Sequence, residues 1–118
     1  LPMRTSVLVS PDGCFEYEAA HGTVTRQFYR WQRGERVCTN PLATIFAWSG
    51  ALRKRGELDG SEQLVKFAGC LERAGLAVFE AGHFSEDLAM LCEEGDYVDK
   101  PDIQTMLALI RTRLEELL

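Results

Sequence analysis

The residues best suited to chemistry lie between Glu18 and Gln27, in the run Glu18-Ala19-Ala20-His21-Gly22-Thr23-Val24-Thr25-Arg26-Gln27. Alternating apolar and acidic residues from Phe15 to Glu18 predict a strand that leaves at Ala20. A glycine then permits a sharp turn, and two threonines precede a helix. Such a junction gathers backbone N–H groups and hydroxyls at a helix N-terminus, which is how proteins hold phosphate. Arg26 adds a planar, permanently charged fork that matches a phosphate ester. The same junction serves more often as plain capping. The run therefore carries two readings, an anion site and a cap.

Other polar residues have simpler explanations. His21 taken alone reads as a hydrogen-bonded loop histidine. Arg26, Arg30 and Arg33 recur at helical spacing and, with Arg36, form a basic island in a chain of net charge −5. For Arg30 and Arg33 a solvated helix face is the expectation, and only Arg26 is given a function. Asp96, Asp99 and Asp102 recur every third residue, but they read as an exposed loop running into a helix N-terminus, where acids are favoured anyway. A hard-cation site needs more converging oxygens than that spacing provides. Asp87 is explained equally by a helix first turn, and Phe46 and Trp48 are expected in the core. The four cysteines (Cys14, Cys38, Cys70, Cys92) contain no Cys-x-x-Cys pair and the only histidines are His21 and His83, so no zinc site is expected. Counting alone leaves disulfides open; buried free thiols in a reducing compartment are the favoured reading, and the expected location is the cytoplasm.

Two strands and five helices would position these residues. Ser6–Val9 and Phe15–Glu18 read as strands around the turn Pro11-Asp12-Gly13. A first helix is expected from Thr23 to Gln32, ending near Gly34. Asn40-Pro41 signals a second start, an N-cap amide followed by proline, with Leu42, Ile45, Phe46 and Leu52 on one face to about Arg55. Ser61 should cap a third helix, with Leu64, Phe67, Ala68 and Leu71 as its stripe and Gly75 as its stop. Ser85 should cap a short fourth. The last should begin near Pro101 and align Ile103, Met106, Leu107, Ile110, Leu114 and Leu117. Two strands are a poor partner layer for so many amphipathic helices. The 118 residues are thus expected to be a single partial domain, 1–118, of α/β class, and the opening Leu1-Pro2-Met3 reads as a cut through a longer sequence.

Composition narrows the partners. The pI near 5.0 argues against nucleic acid or an anionic membrane. No apolar run approaches the ~20 residues that span a bilayer, and no signal-peptide pattern opens the sequence.

Several motifs fall in order along the chain: Glu18 to Arg26, Thr39-Asn40-Pro41-Leu42-Ala43, Ile45-Phe46-Ala47-Trp48, and Glu80-Ala81-Gly82 followed by Ser85, Asp87 and Leu88. In this order they resemble the C-terminal part of the NADP-dependent isocitrate dehydrogenases, the homodimeric type of the isocitrate/isopropylmalate dehydrogenase family. The similarity is strongest from Thr5 to Trp48 and fades from Glu93 to Leu118.

The resemblance implies the C-terminal half of the large α/β domain. It assigns His21, Gly22, Thr23, Val24 and Thr25 to contact with the adenosine end of NADP, Arg26 to its 2′-phosphate and Asn40 to the adenine edge. Gln27 stands where the family has histidine beside that arginine, and it can donate a neutral hydrogen bond but cannot become cationic. Phe28-Tyr29-Arg30-Trp31 also departs from the family wording. The complete enzyme implied is a homodimeric oxidoreductase that converts isocitrate to 2-oxoglutarate with NADP and Mg2+ or Mn2+. The family takes its metal ligands, substrate arginines and acid/base pair from sequence preceding this stretch, so no catalytic or metal-binding residue is expected here. A non-catalytic interaction chain, a degenerate remnant and a helical assembly module are the alternative readings.

Overall fold

Alternation and turn chemistry produce the first pair of elements. The structure, a computed structural model, describes residues 5–19, 24–37 and 40–118, save the side chains of Val24 and Asp87. Strands β1 (Thr5–Val9) and β2 (Phe15–Ala19) pair antiparallel, with Val9 opposite Phe15 and Thr5 opposite Ala19. Gly13 adopts φ 89° in the turn, and the Ser10 hydroxyl accepts the Cys14 N–H at 2.9 Å. All of β1 is exposed, Val7, Leu8 and Val9 included. Strand β2 lies against the second helix so closely that a Cβ on Gly50 would come within 3.0 Å of the Tyr17 ring.

Helix α1 (Val24–Gln32) ends at Gly34, whose φ of 82° is in the left-handed region that favours glycine. Helix α2 (Leu42–Asp59) extends past the expected end at Arg55 to a left-handed Gly60. At its start Pro41 is the N-cap, which corrects the expected order of an N-cap asparagine followed by proline in the first turn; Asn40, one residue earlier, accepts the Leu42 N–H on Oδ1 at 3.0 Å. Helix α3 (Glu62–Glu80) begins at Ser61, whose hydroxyl accepts the Leu64 N–H at 3.4 Å. It runs straight through Gly75, correcting the expected stop there. Gly75 is buried against α2, and a Cβ would sit 2.9 Å from Leu42 Cδ2. Close helix contact offsets the ~1 kcal/mol helix penalty of a glycine. Helix α4 (Glu86–Ala89) is one turn; Ser85 sits at its N-cap but makes no capping bond, and its hydroxyl is buried without a partner among the described residues. Helix α5 (Ile103–Leu117) is capped by Asp102, whose Oδ1 accepts the Thr105 N–H at 2.8 Å.

The core lies among α2, α3 and α5. Ala74, Val78, Met106 and Ile110 are buried, with Ile45, Ile103, Leu109, Leu114 and Leu117 packed around them. The α5 stripe holds except at Leu107, which is exposed. A smaller cluster joins Phe84, Leu88 and Ala89 to Phe79, Cys92 and Tyr97, with Phe79 and Phe84 stacked at 5.0 Å. A polar clasp also ties α2 to α3: Glu72 Oε1 accepts from the Ser49 hydroxyl at 2.7 Å and pairs with Arg53 at 2.8 Å. Trp48 is 64% exposed, not core as expected; it lines an open groove between β2 and α2 with Phe15 and Tyr17. Cys14, Cys70 and Cys92 are free thiols; Cys38 lies outside the described residues. No described helix is long and apolar enough to cross a membrane.

Candidate functional site

Helix α1 begins at Val24, which places Thr25, Arg26 and Gln27 in its first turn. His21, Gly22 and Thr23, expected in the preceding turn, lie outside the described residues. Thr25 and Arg26 are exposed and Gln27 is half-buried. No acidic residue occupies the first turn, so the helix brings no carboxylate of its own to the positive end of its dipole.

The basic island separates into paired and unpaired members. Arg33 Nε donates to Glu35 at 3.1 Å, and Arg36 lies 3.8 Å from Asp102. Arg30 Nε donates to Glu35 Oε2 at 2.8 Å, its Nη2 lies 3.6 Å from Glu86 Oε2, and its Nη1 faces Gln27 Oε1 at 3.5 Å. The hydrogen bond from Arg30 holds the Glu35 carboxyl below the usual carboxylate range, with Arg33 adding to it, and Glu35 in turn raises the guanidinium. Arg26 alone of the four has no ion pair among the described residues.

The expectation of a solvated face holds for Arg33, 66% exposed, and fails for Arg30, 28% exposed. A face argument counts only helical spacing, whereas Glu35 and Glu86 reach Arg30 from the turn after α1 and from α4. The signal available in the sequence was Gln27 one helical turn before Arg30, within side-chain reach.

Asn40 sits one residue before the N-cap of α2, its oxygen on Leu42 N–H. The three spaced aspartates each serve a separate local contact. Asp96 accepts from the Glu93 N–H, Asp99 pairs with His83 and Asp102 caps α5, its carboxyl lowered mainly by the Thr105 hydrogen bond. Among the described residues no three His, Cys, Asp or Glu gather closely enough to hold a metal ion. A cavity of about 200 Å3 beside α4 is lined by Arg36, Val37, Glu86, Lys100, Pro101 and Asp102. Its two cations and two carboxylates offset one another, so it makes a poor anion site.

No family model matches the sequence. Individual relatives are informative. The chain is 46% identical over 118 residues to the mitochondrial isocitrate dehydrogenase [NADP] of Saccharomyces cerevisiae, covering 98% of this chain and 28% of the relative. A second yeast isocitrate dehydrogenase [NADP] is 48% identical over 93 residues, covering 77% and 22%. The human mitochondrial isocitrate dehydrogenase [NADP] is 50% identical over 90 residues, covering 75% and 20%. The chain thus spans little more than a quarter of the longest-matching of these relatives.

These relatives correct the cytoplasmic expectation, because the first yeast protein and the human protein are named as mitochondrial. Unpaired thiols point to a reducing environment and carry no information on which compartment provides it. At 46–50% identity over three quarters or more of its length, the chain is a homologue of the C-terminal portion of the NADP-dependent isocitrate dehydrogenases.

Proposed function

We propose that this chain supplies the adenosine and 2′-phosphate side of an NADP site in an isocitrate dehydrogenase. The observation that carries the reading is the pairing pattern of the basic island: Arg30, Arg33 and Arg36 face carboxylates, while Arg26 has no ion pair among the described residues. An exposed arginine in the first turn of a helix without acidic residues fits a phosphate ester in charge and hydrogen-bonding capacity. Arg26 would hold the 2′-phosphate, with Gln27 beside it. His21, Gly22, Thr23, Val24 and Thr25 would wrap the adenosine, and Asn40 would meet the adenine edge.

In the complete protein the reaction would be oxidative decarboxylation of isocitrate to 2-oxoglutarate, in a homodimer, with NADP and a divalent metal. NADP would accept the hydride and the metal would polarise the developing carbonyl. This chain's residues bind and orient the far end of the cofactor and take no part in the chemical step. The chain alone would not turn over isocitrate. Both faces of β1 are open, with Val7 and Val9 on one and Leu8 on the other, and they would be covered by the rest of the large domain.

Calorimetric titration of the protein with NADP and with NAD tests the reading. NADP should bind more tightly, and Arg26→Ala should weaken NADP about tenfold to a hundredfold, the range for losing a hydrogen-bonded charge pair. Equal affinity of the folded protein for the two cofactors, or an Arg26→Ala variant with unchanged NADP affinity, would count against it.

A further inference from the structure

We infer that Arg30 is a positioning residue that orients the Gln27 carboxamide so that it donates to an anion. The inference rests on the proposed NADP site and concerns how a glutamine can serve there. A carboxamide has an acceptor end and a donor end, and a half-turn about its last bond exchanges them. Only the donor end is useful beside a phosphate; the oxygen would repel it.

The side chains around Gln27 select one of the two orientations. Arg30 Nη1 lies 3.5 Å from Gln27 Oε1, one helical turn away, and a guanidinium has only donors to offer. The oxygen is therefore drawn towards Arg30, which turns the two N–H donors away from that cation. Arg30 is itself held, since Nε is on Glu35 at 2.8 Å and Nη2 faces Glu86 at 3.6 Å. Three nitrogens of one planar fork thus meet three different acceptors, and two of these fix the fork for the third. A lysine cannot present that geometry. A neutral side chain so oriented adds discrimination for a phosphorylated ribose without adding a second charge.

The test is binding of 2′,5′-ADP and of 5′-AMP to the protein at its natural length, with Arg26→Ala included in the series. Arg30→Met and Gln27→Met should each weaken 2′,5′-ADP about tenfold, the size of one charge-assisted hydrogen bond, and leave 5′-AMP unchanged. The double variant should be no weaker than either single variant, because the two residues act as one unit. Arg30→Lys should recover only part of the loss. Multiplying losses in the double variant, an equal loss of 5′-AMP, or wild-type binding by Arg30→Met would each overturn the inference. If Arg30→Met does not fold, Glu86→Gln replaces it: about a threefold loss confined to 2′,5′-ADP supports the role, and no loss refutes it. An effect of Arg26→Ala without any effect at Arg30 would sink this inference alone, whereas no effect of Arg26→Ala would sink the NADP site and this inference with it.

Discussion

Helix α3 buries Ala68, Cys70, Ala74, Gly75 and Val78 between its neighbours, whereas α1 buries none of its described residues completely. No other described helix or strand packs its backbone against α1. It reaches the rest of the molecule through side chains, chiefly Arg30 to Glu86 at 3.6 Å, and the Arg36–Asp102 pair follows just beyond its end. One region is thus held by apolar area removed from water, which is indifferent to salt, and the other by partly exposed charges, which salt screens. The helix that would meet the cofactor's phosphate is the one least fixed by packing. Ligand-facing elements are commonly drawn from such low-stability parts of a fold.

Breaking the packed region should have the largest effect. Ile110→Ala should cost about 2–5 kcal/mol of unfolding free energy by denaturant titration, because Ile110 is buried among α3 and α5 side chains. The preference for NADP over NAD among molecules that remain folded should not change. A loss below about 1 kcal/mol would mean that the three-helix body is not the main source of stability.

The polar clasp between α2 and α3 comes next. Glu72→Gln should cost about 2 kcal/mol at neutral pH, since one carboxylate oxygen receives both Ser49 and Arg53. Burial is the largest influence on Glu72 and pushes its carboxyl up, but the Arg53 and Ser49 bonds together outweigh it and hold the group below its ordinary 4.5. A depressed carboxyl stabilises the fold fully above its unfolded value, and that stability is lost as pH falls through the folded value. The gap between wild type and Glu72→Gln should therefore close below pH 4.5. A gap independent of pH would show that the carboxylate's charge is not what the clasp uses.

The smallest effect concerns α1. Raising NaCl from about 0.05 M to about 0.5 M should speed amide exchange in α1 about two- to fivefold while leaving the middle of α3 unchanged. Glu86→Gln at low salt should reproduce the effect. Equal acceleration in both helices would remove the distinction drawn between them.

Much of this organisation was readable from the residues. Turn glycines, the Asn40-Pro41 start and the α5 stripe gave elements close to those observed, because each depends on local backbone chemistry or on a strong period. Gly75 misled because a glycine that ends a helix and one that admits a neighbouring helix look alike without Leu42 opposite. Trp48 misled because helical periodicity predicts a face and not whether a partner covers it. At the candidate site, Arg26 was singled out by residue type and position. The tie from Gln27 through Arg30 to Glu86 was not, since Glu86 reaches Arg30 only once α4 is in place.

The chain leaves and re-enters the helical body at nearly one point. Val98 N–H donates to Gly82 O at 2.7 Å, Phe84 N–H to Asp99 O at 3.1 Å, and His83 Nδ1 lies 2.7 Å from Asp99 Oδ1. Gly82, at φ 92°, permits this closeness, because a Cβ there would come within 2.9 Å of Val98 N. Residues 83–99 therefore form a stitched pouch whose mouth, not its length, fixes where α5 begins. Doubling such a loop adds only ~0.6 kcal/mol of closure entropy. Natural length variation, or a grafted peptide tag, should be tolerated between Glu93 and Gly95 with α5 left in register.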